Sequence, residues 1–431
     1  MPEKRTASRK SGHARQSQGG RELRADLQTA IFVLLGNSQM LQVAGIVPSQ
    51  TNNEPAANHD NSANLWAVPF CDFRRLPISK PLFAQGKVNS LKRFQIPPLH
   101  DIFEALLTDS FQRPHQYLRI SLTDACNLRC FYCMPDEDSH CTPHHQLMQT
   151  NEILSLAKTF IGLGVNKIRL TGGEPLVRKE FPEILKALSD LPVQLTLTSN
   201  GVFLDKYLDL LKQSGVRSIN ISLDTLEREK FILLTKRDNL DIVKANINKA
   251  IEYGFHVKVN MVVMRGINEN EVCDFAAWSV NMPLHIRFIE FMPFTGNQWH
   301  HDKVYTRDEI LYTLAEKFDF IPLAKEPHDT AHKYFVNGAK GSFAIISTMS
   351  HPFCGDCNRL RLTADGKIRN CLFATHETDL LSALRSGQSI EPLIVENLKQ
   401  KSQKLGGQFD EHFEKIQPET LQNRSMIAIG G

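Results

Sequence analysis

From Tyr117 onward, short runs rich in β-branched residues alternate with longer stretches of helical period. Six runs predict strands: Tyr117 to Leu122 (YLRISL), Asn166 to Thr171 (NKIRLT), Val193 to Thr198 (VQLTLT), Arg217 to Leu223 (RSINISL), His256 to Val263 (HVKVNMVV) and His285 to Phe291 (HIRFIEF). Between them, Asn151 to Gly162, Phe181 to Asp190, Leu204 to Gln213, Leu240 to Tyr253 and Asn270 to Ser279 predict helices, with Gly164, Gly215 and Gly254 as stop signals. Strands alternating with helices build a parallel sheet, and about six such units curve into a partial, open TIM-type barrel of the α/β class.

The first hundred residues follow no such pattern. A basic, polar start gives way to a mildly apolar stretch and then to a segment rich in Asn and Ser, a composition that cannot bury a core. Residues 1–107 therefore read as presequence and largely disordered leader, residues 108–300 as the barrel, and residues 301–431 as a C-terminal domain. The apolar stretch, broken by Gly36, Asn37, Ser38, Gln39 and Gln42, is a poor membrane span.

Sites in such barrels form at the C-terminal ends of the strands. Strand one runs into Thr123 and a cysteine loop, and strand two ends in Gly172-Gly173-Glu174-Pro175. Strand three ends in Thr198-Ser199-Asn200-Gly201, while strands four to six carry Ser222 and Asp224, Lys258 and Asn260, and Glu290 and Met292. Two glycines at a strand end let a ligand approach the backbone and its peptide groups, an edge suited to a zwitterionic amino acid.

Charge narrows the choice of partner only slightly. With 50 basic and 47 acidic residues in 431, no global field calls for nucleic acid or membrane. Nine cysteines are too few for a secreted disulfide scaffold, and six of them fall into two groups of three. Cys71, Cys141 and Cys273 remain as ordinary thiols, and His140, His144 and His145 as solvated side chains.

The loop Asp124 to Pro135 (DACNLRCFYCMP) places Cys126, Cys130 and Cys133 at a C-x3-C-x2-C spacing. Three thiolates suit a four-iron cluster with one iron left open, whereas zinc sites take four ligands; a structural zinc or redox group is the bland alternative. Cys354, Cys357 and Cys371 form a second trio within FCGDCNRLRLTADGKIRNCLF, and the Asp365-Gly366 turn predicts a hairpin that brings Cys371 back to the first pair. In that hairpin Arg359 and Arg361 flank Leu360 and point to one face, a geometry that suits phosphate oxygens. Arg119, Arg169 and Lys258 are further cations on inner strands, where an unpaired charge is costly and a triphosphate is a reasonable partner.

With this cysteine loop after strand one and GGEP after strand two, the chain resembles the radical S-adenosylmethionine enzymes. The second trio, the runs FIEFMPFTGN and CGDCNRLRLTADG, and the final Gly430-Gly431 narrow the resemblance to the eukaryotic-type branch of the GTP 3′,8-cyclases, the molybdenum cofactor biosynthesis protein A family. The resemblance implies two [4Fe-4S] clusters, on Cys126, Cys130 and Cys133 and on Cys354, Cys357 and Cys371, with S-adenosyl-L-methionine bound by Tyr132, Gly173, Ser222 and Met292. It implies GTP bound by Arg119, Lys167, Arg169, Thr198, Lys258, Arg359, Leu360 and Arg361, with Arg359 and Arg361 catalytic. A homodimer, an external electron donor, a downstream cyclic pyranopterin monophosphate synthase and the mitochondrial matrix are implied too. The alternatives are a radical enzyme that modifies a peptide, for which three C-terminal cysteines are few, and a non-enzymatic cluster scaffold. At Ala125 the chain departs from an arginine usual in bacterial members, and Gly430-Gly431 reads either as a frayed end or, by resemblance, as a tail entering the barrel.

Overall fold

In the computed structural model, residues 107–134, 141–409 and 412–430 are described, all within one unit, Lys92–Gly431. The expected leader (apart from Leu107), His140 and Gly431 lie outside the described residues. Six parallel strands run in chain order: β1 (Tyr117–Ser121), β2 (Lys167–Thr171), β3 (Gln194–Ser199), β4 (Ser218–Ser222), β5 (His256–Val263) and β6 (His285–Glu290). The intervening helices are Thr150–Gly162, Phe181–Ser189, Leu208–Gln213, Arg228–Thr235 with Leu240–Glu252, and Val272–Asn281. Gly164, Gly215 and Gly254 adopt positive φ just past their helices, the backbone state that favours glycine there. Helix Arg228–Thr235 lacks a signal in the sequence because Ile232 and Leu233 on it are exposed and blur its apolar stripe.

The C-terminal residues extend the same sheet at both edges. Beyond β6 lie β9 (Ser342–Ile346), β8 (His332–Val336) and β7 (Phe320–Pro322); beyond β1 lie β10 (Arg359–Leu362), β11 (Lys367–Arg369) and β12 (Thr378–Asp379). The architecture is an α/β sheet curved as a partial, open TIM-type barrel. The β10–β11 hairpin turns at Gly366, as its Asp-Gly pair predicts.

Alternation along each strand separates two environments. Leu118, Ile120, Ile168, Leu170, Leu197, Ile219, Val257, Ile286, Leu360 and Leu362 form one core with Leu156, Phe160, Ile184, Leu185 and Ile247 from the helices. Each such side chain contributes roughly 1.5–3 kcal/mol when fully buried. The opposite face carries Tyr117, Arg119, Lys167, Arg169, Asn220, Lys258, Arg287, Arg359 and Arg361, a set that packing alone would not select. Among the described residues, no helix is long and apolar enough to cross a membrane.

Candidate active site

Register puts the polar side chains side by side. Tyr117 pairs with Arg359 and with Lys167, Arg119 with Arg361 and with Arg169, Asn220 with Lys258, and Asn260 with Arg287. Burial and the charges of Arg169, Arg359 and Arg287 lower the Arg119 pKa to about 10; burial and Arg169 do the same to Arg287. Burial and then Arg287, Arg169 and Lys167 bring Lys258 down to about 8. These cations repel one another across one half-buried face.

Little anionic charge answers them. The Tyr117 phenol accepts from Arg169 Nε, and although burial opposes it, Arg169 and Arg119 draw its pKa to about 7. Arg169 Nη1 also reaches Thr198 Oγ1 at 3.3 Å. Arg287 Nε, Asn220 Oδ1 and Ser218 Oγ are buried without a hydrogen-bond partner. Buried polar groups left so are expensive, and an anionic ligand with several oxygens would satisfy them. Arg287 belongs with the expected cations; the alternation of HIRFIEF sets it in phase with His285 and was the available signal. The side chain of Leu360 is fully buried in the helix-facing core, so only its backbone, between Arg359 and Arg361, borders the polar face.

At the strand ends the first cysteine loop is gripped from several sides. Gly173 N–H donates to Thr123 O at 2.7 Å and Glu174 N–H to Ala125 O at 2.9 Å. A Cβ on Gly173 would lie 2.6 Å from the carbonyl oxygens of Asp124 and Ala125. The close approach these glycines permit is therefore to the cysteine loop, and these two N–H groups are not held out to a ligand. Buried Glu174 accepts from Ser199 Oγ at 2.9 Å and Asn200 N–H at 2.6 Å, and Asn200 Nδ2 reaches Asn127 Oδ1 at 2.8 Å and Cys126 Sγ at 3.7 Å. Burial raises the Glu174 pKa to about 7. Tyr132, inside the loop, donates to Asp224 Oδ2 at 2.5 Å, and Asp224 Oδ1 accepts from Val262 N–H at 2.9 Å.

Cys130 and Cys133 of the first trio and Cys354 and Cys371 of the second border one apolar cluster of Tyr132, Met264, Phe291, Phe294, Trp299, Phe373 and Leu405, and Met292 packs there too. Ser222 stands exposed beside Asn260. Burial lifts the Cys126 thiol to about 11, and burial with the charges of Cys126 and Asp224 lifts Cys133 to about 12. Thiols crowded in this way ionise readily only with a metal between them, so the donor set fits metal ligation. A four-iron cluster spreads its ligands over separate irons, a spacing that three cysteines on one loop can meet. In the second trio burial opposes ionisation of Cys357, yet Arg359 and Lys401 bring its pKa to about 6.

The C-terminal tail reaches the same face. Arg361 Nη1 donates to the Gly430 carbonyl at 2.5 Å, and a Cβ on Gly430 would lie 2.6 Å from Thr171 Oγ1.

Comparison with known proteins agrees with this layout. Residues 120–279 match the Radical SAM superfamily and residues 284–406 match Molybdenum Cofactor Synthesis C. The chain is 45% identical to a mitochondrial GTP 3′,8-cyclase of Arabidopsis thaliana over 76% of its own length and 84% of the relative's. It is 40% identical to a GTP 3′,8-cyclase of Thermodesulfovibrio yellowstonii over 75% of its own length and 100% of the relative's. Molybdenum cofactor biosynthesis protein 1 of Mus musculus is 46% identical over 76% of this chain and 52% of that protein, so the chain spans about half the length of such longer relatives. A match to the Radical SAM superfamily implies S-adenosylmethionine and a four-iron cluster as cofactors. The chain belongs to the radical SAM superfamily and, within it, to the family of GTP 3′,8-cyclases and molybdenum cofactor biosynthesis proteins.

Proposed function

We propose that the chain is a GTP 3′,8-cyclase. The observation that carries this reading is the row of buried and half-buried cations on the barrel's inner face, lying beside two cysteine trios that each put two cysteines against one apolar cluster. Cys126, Cys130 and Cys133 would hold the first four-iron cluster and Cys354, Cys357 and Cys371 the second. Tyr132, Gly173, Ser222 and Met292 would line the S-adenosylmethionine pocket. Arg119, Lys167, Arg169, Lys258, Arg287, Arg359 and Arg361 would bind GTP, with Thr198 as a neutral contact. The division of labour follows the expected domains, residues 108–300 for S-adenosylmethionine and 301–431 for the second cluster and the guanine.

Cys126, Cys130 and Cys133 would hold the first cluster, which with S-adenosylmethionine would supply the radical chemistry that removes the hydrogen from C3′ of the ribose; joining C3′ to C8 of the guanine would be completed by one electron from the external donor and one proton from solvent. The protein's contribution is placement. Several guanidinium groups on a rigid sheet hold the triphosphate, so that C3′ is presented in one orientation; such positioning is worth roughly 7–11 kcal/mol when reacting atoms are well aligned. The apolar cluster between the trios excludes water, which protects a reactive carbon centre. Arg359 and Arg361, on a strand that joins the second trio to β1, would hold the substrate against both. The reading extends to a homodimer in the mitochondrial matrix, an external electron donor, and a downstream enzyme that rearranges the product to cyclic pyranopterin monophosphate.

The test is anaerobic reconstitution followed by incubation of reduced enzyme with S-adenosylmethionine and GTP. About eight irons per chain, 5′-deoxyadenosine and a cyclic GTP product are expected. Absence of any GTP-dependent product would sink the assignment.

A further inference from the structure

Lys401 is a buried lysine, 4% exposed, just past the helix Glu391–Lys399. Its ammonium lies 3.8 Å from Cys357 Sγ and 3.3 Å from the Arg359 carbonyl, and it donates to the Asn370 carbonyl. Among the described residues it pairs with no carboxylate. The backbone around it is pinned, which separates it from a mobile surface lysine: Lys401 N–H donates to Leu398 O at 3.0 Å, and Arg113 holds the carbonyls of Cys354, Ser402 and Gln403 at 2.7, 3.1 and 2.9 Å. Leu405 N–H then donates to Cys354 Sγ at 3.4 Å. Residues 401–405 thus wrap the second trio and direct two donors at its sulfurs.

A buried ammonium held by two carbonyls and a cysteine sulfur is costly, and Arg359, whose Nη2 lies 3.9 Å from the same Cys357 Sγ, carries a charge of the same sign. A cluster bound by three thiolates is net negative and would supply the missing counter-charge. The first trio has a different surrounding. The donors to Cys126 Sγ are neutral amides, from Leu128 at 3.4 Å and Asn200 at 3.7 Å, and Arg129 bonds the Cys126 carbonyl instead of a sulfur. A carboxylate, Asp224, stands beside that loop through its bond to Tyr132.

We propose that Lys401 sets the redox poise of the second cluster, its ammonium stabilising the reduced form of a cluster bound by Cys354, Cys357 and Cys371. The inference rests on the second-cluster reading above. When that cluster accepts one electron from an external low-potential donor, its negative charge grows by one beside a fixed cation, and no proton need move. Net charge and hydrogen bonds to sulfur are among the main determinants of such potentials, so the second cluster is reduced more easily than it would be without Lys401. Lys401 is a positioning residue that acts through the cluster and touches no substrate.

The experiment uses the full chain, reconstituted anaerobically with iron and sulfide, and follows reduction by EPR during a mediated dithionite titration. C126A/C130A/C133A isolates the second cluster, and C354A/C357A/C371A isolates the first. In the first background K401M and K401Q should keep about four irons and be harder to reduce by about tenfold, about 59 mV for one electron. K401R should restore the potential, and the first cluster should not respond to any of them. K401Q retains a donor without the charge, so it reads the effect even where K401M loses the fold. Full iron with an unmoved potential, or an equal shift at the first cluster, overturns the inference. A wild-type chain that binds only about four irons overturns the second-cluster reading itself, and this inference falls with it.

Discussion

Arg361 Nη1 donates to the carbonyl of Gly430 at 2.5 Å, so the penultimate residue is held by a strand of the cation face. The tail is anchored just before that point. Arg424 makes paired 3.0 Å bonds to Asp365 and a 2.6 Å bond to Glu377, and Thr295 N–H donates to Asn423 Oδ1 at 2.9 Å. The strap therefore ties the loop after β6 to the β10–β11 hairpin and ends among the groups proposed to bind substrate.

Gly430→Ala should disturb this arrangement, since φ is 72° and the new Cβ would meet Thr171 Oγ1 at 2.6 Å. The expected outcome is a fall of about tenfold in cyclic product, equivalent to about 1.4 kcal/mol, while 5′-deoxyadenosine still forms. Arg424→Gln should act in the same direction by loosening the strap. The ratio of cyclised GTP to 5′-deoxyadenosine checks both; an unchanged ratio would separate the tail from the chemistry.

Gly173→Ala tests the grip on the first cysteine loop. Its Cβ would press on the Asp124 and Ala125 carbonyls, an overpacking that costs roughly 1–3 kcal/mol. Displacing the loop should lower iron content toward about four per chain as the first trio fails to load. Thermal unfolding and iron analysis of the variant check the two effects independently.

Arg287→Met should separate stability from binding. It removes a buried cation whose Nε is unpartnered and whose neighbours repel it, so the ligand-free protein should be as stable as wild type or more so. GTP binding should weaken about 10- to 100-fold, the range for losing a charged hydrogen-bonding group. Calorimetric melting and equilibrium binding provide the comparison, and unaltered GTP affinity would remove Arg287 from the site.

Lys258 gives a pH dependence with a definite sign. Its pKa falls from 10.5 unfolded to about 8 folded, so below about 8 the full penalty of the buried charge is present, and it is relieved as pH rises toward 10.5. A bound triphosphate would raise that pKa again, so GTP binding above about pH 8 should take up a proton and weaken as pH rises. Titration calorimetry in buffers of different ionisation enthalpy measures the uptake, which Lys258→Met should abolish. The comparison belongs in a Tyr117→Phe background, because that phenol, drawn down to about 7, titrates in the same window.

The strand runs were legible because period-two alternation is local: the expected bounds of the six parallel strands differ from the observed ones by no more than a residue at either end. Both cysteine trios and the Asp365-Gly366 turn were legible for a similar reason, since ligand spacing and turn chemistry are written over a few residues. Helix Arg228–Thr235 was not, because its apolar positions are partly exposed. At Gly172-Gly173 the spacing shows that backbone is approached closely, and the structure adds that Thr123, Asp124 and Ala125 of the cysteine loop are among the groups that approach it.

The sequence by itself determined the order of βα units, the two sets of three cysteines, and the alternating cations, all properties of short windows. Tertiary structure decided which of those cations share a face. Pairing of β10 with β1 brings Arg359 and Arg361 beside Tyr117 and Arg119, and the same register leaves Leu360 in the core. It also decided that Lys401 meets Cys357, that Glu174 supports Asn200, and that Gly430 meets Arg361. These contacts join residues distant in the chain, and strand register and long-range packing, which no local pattern encodes, set them.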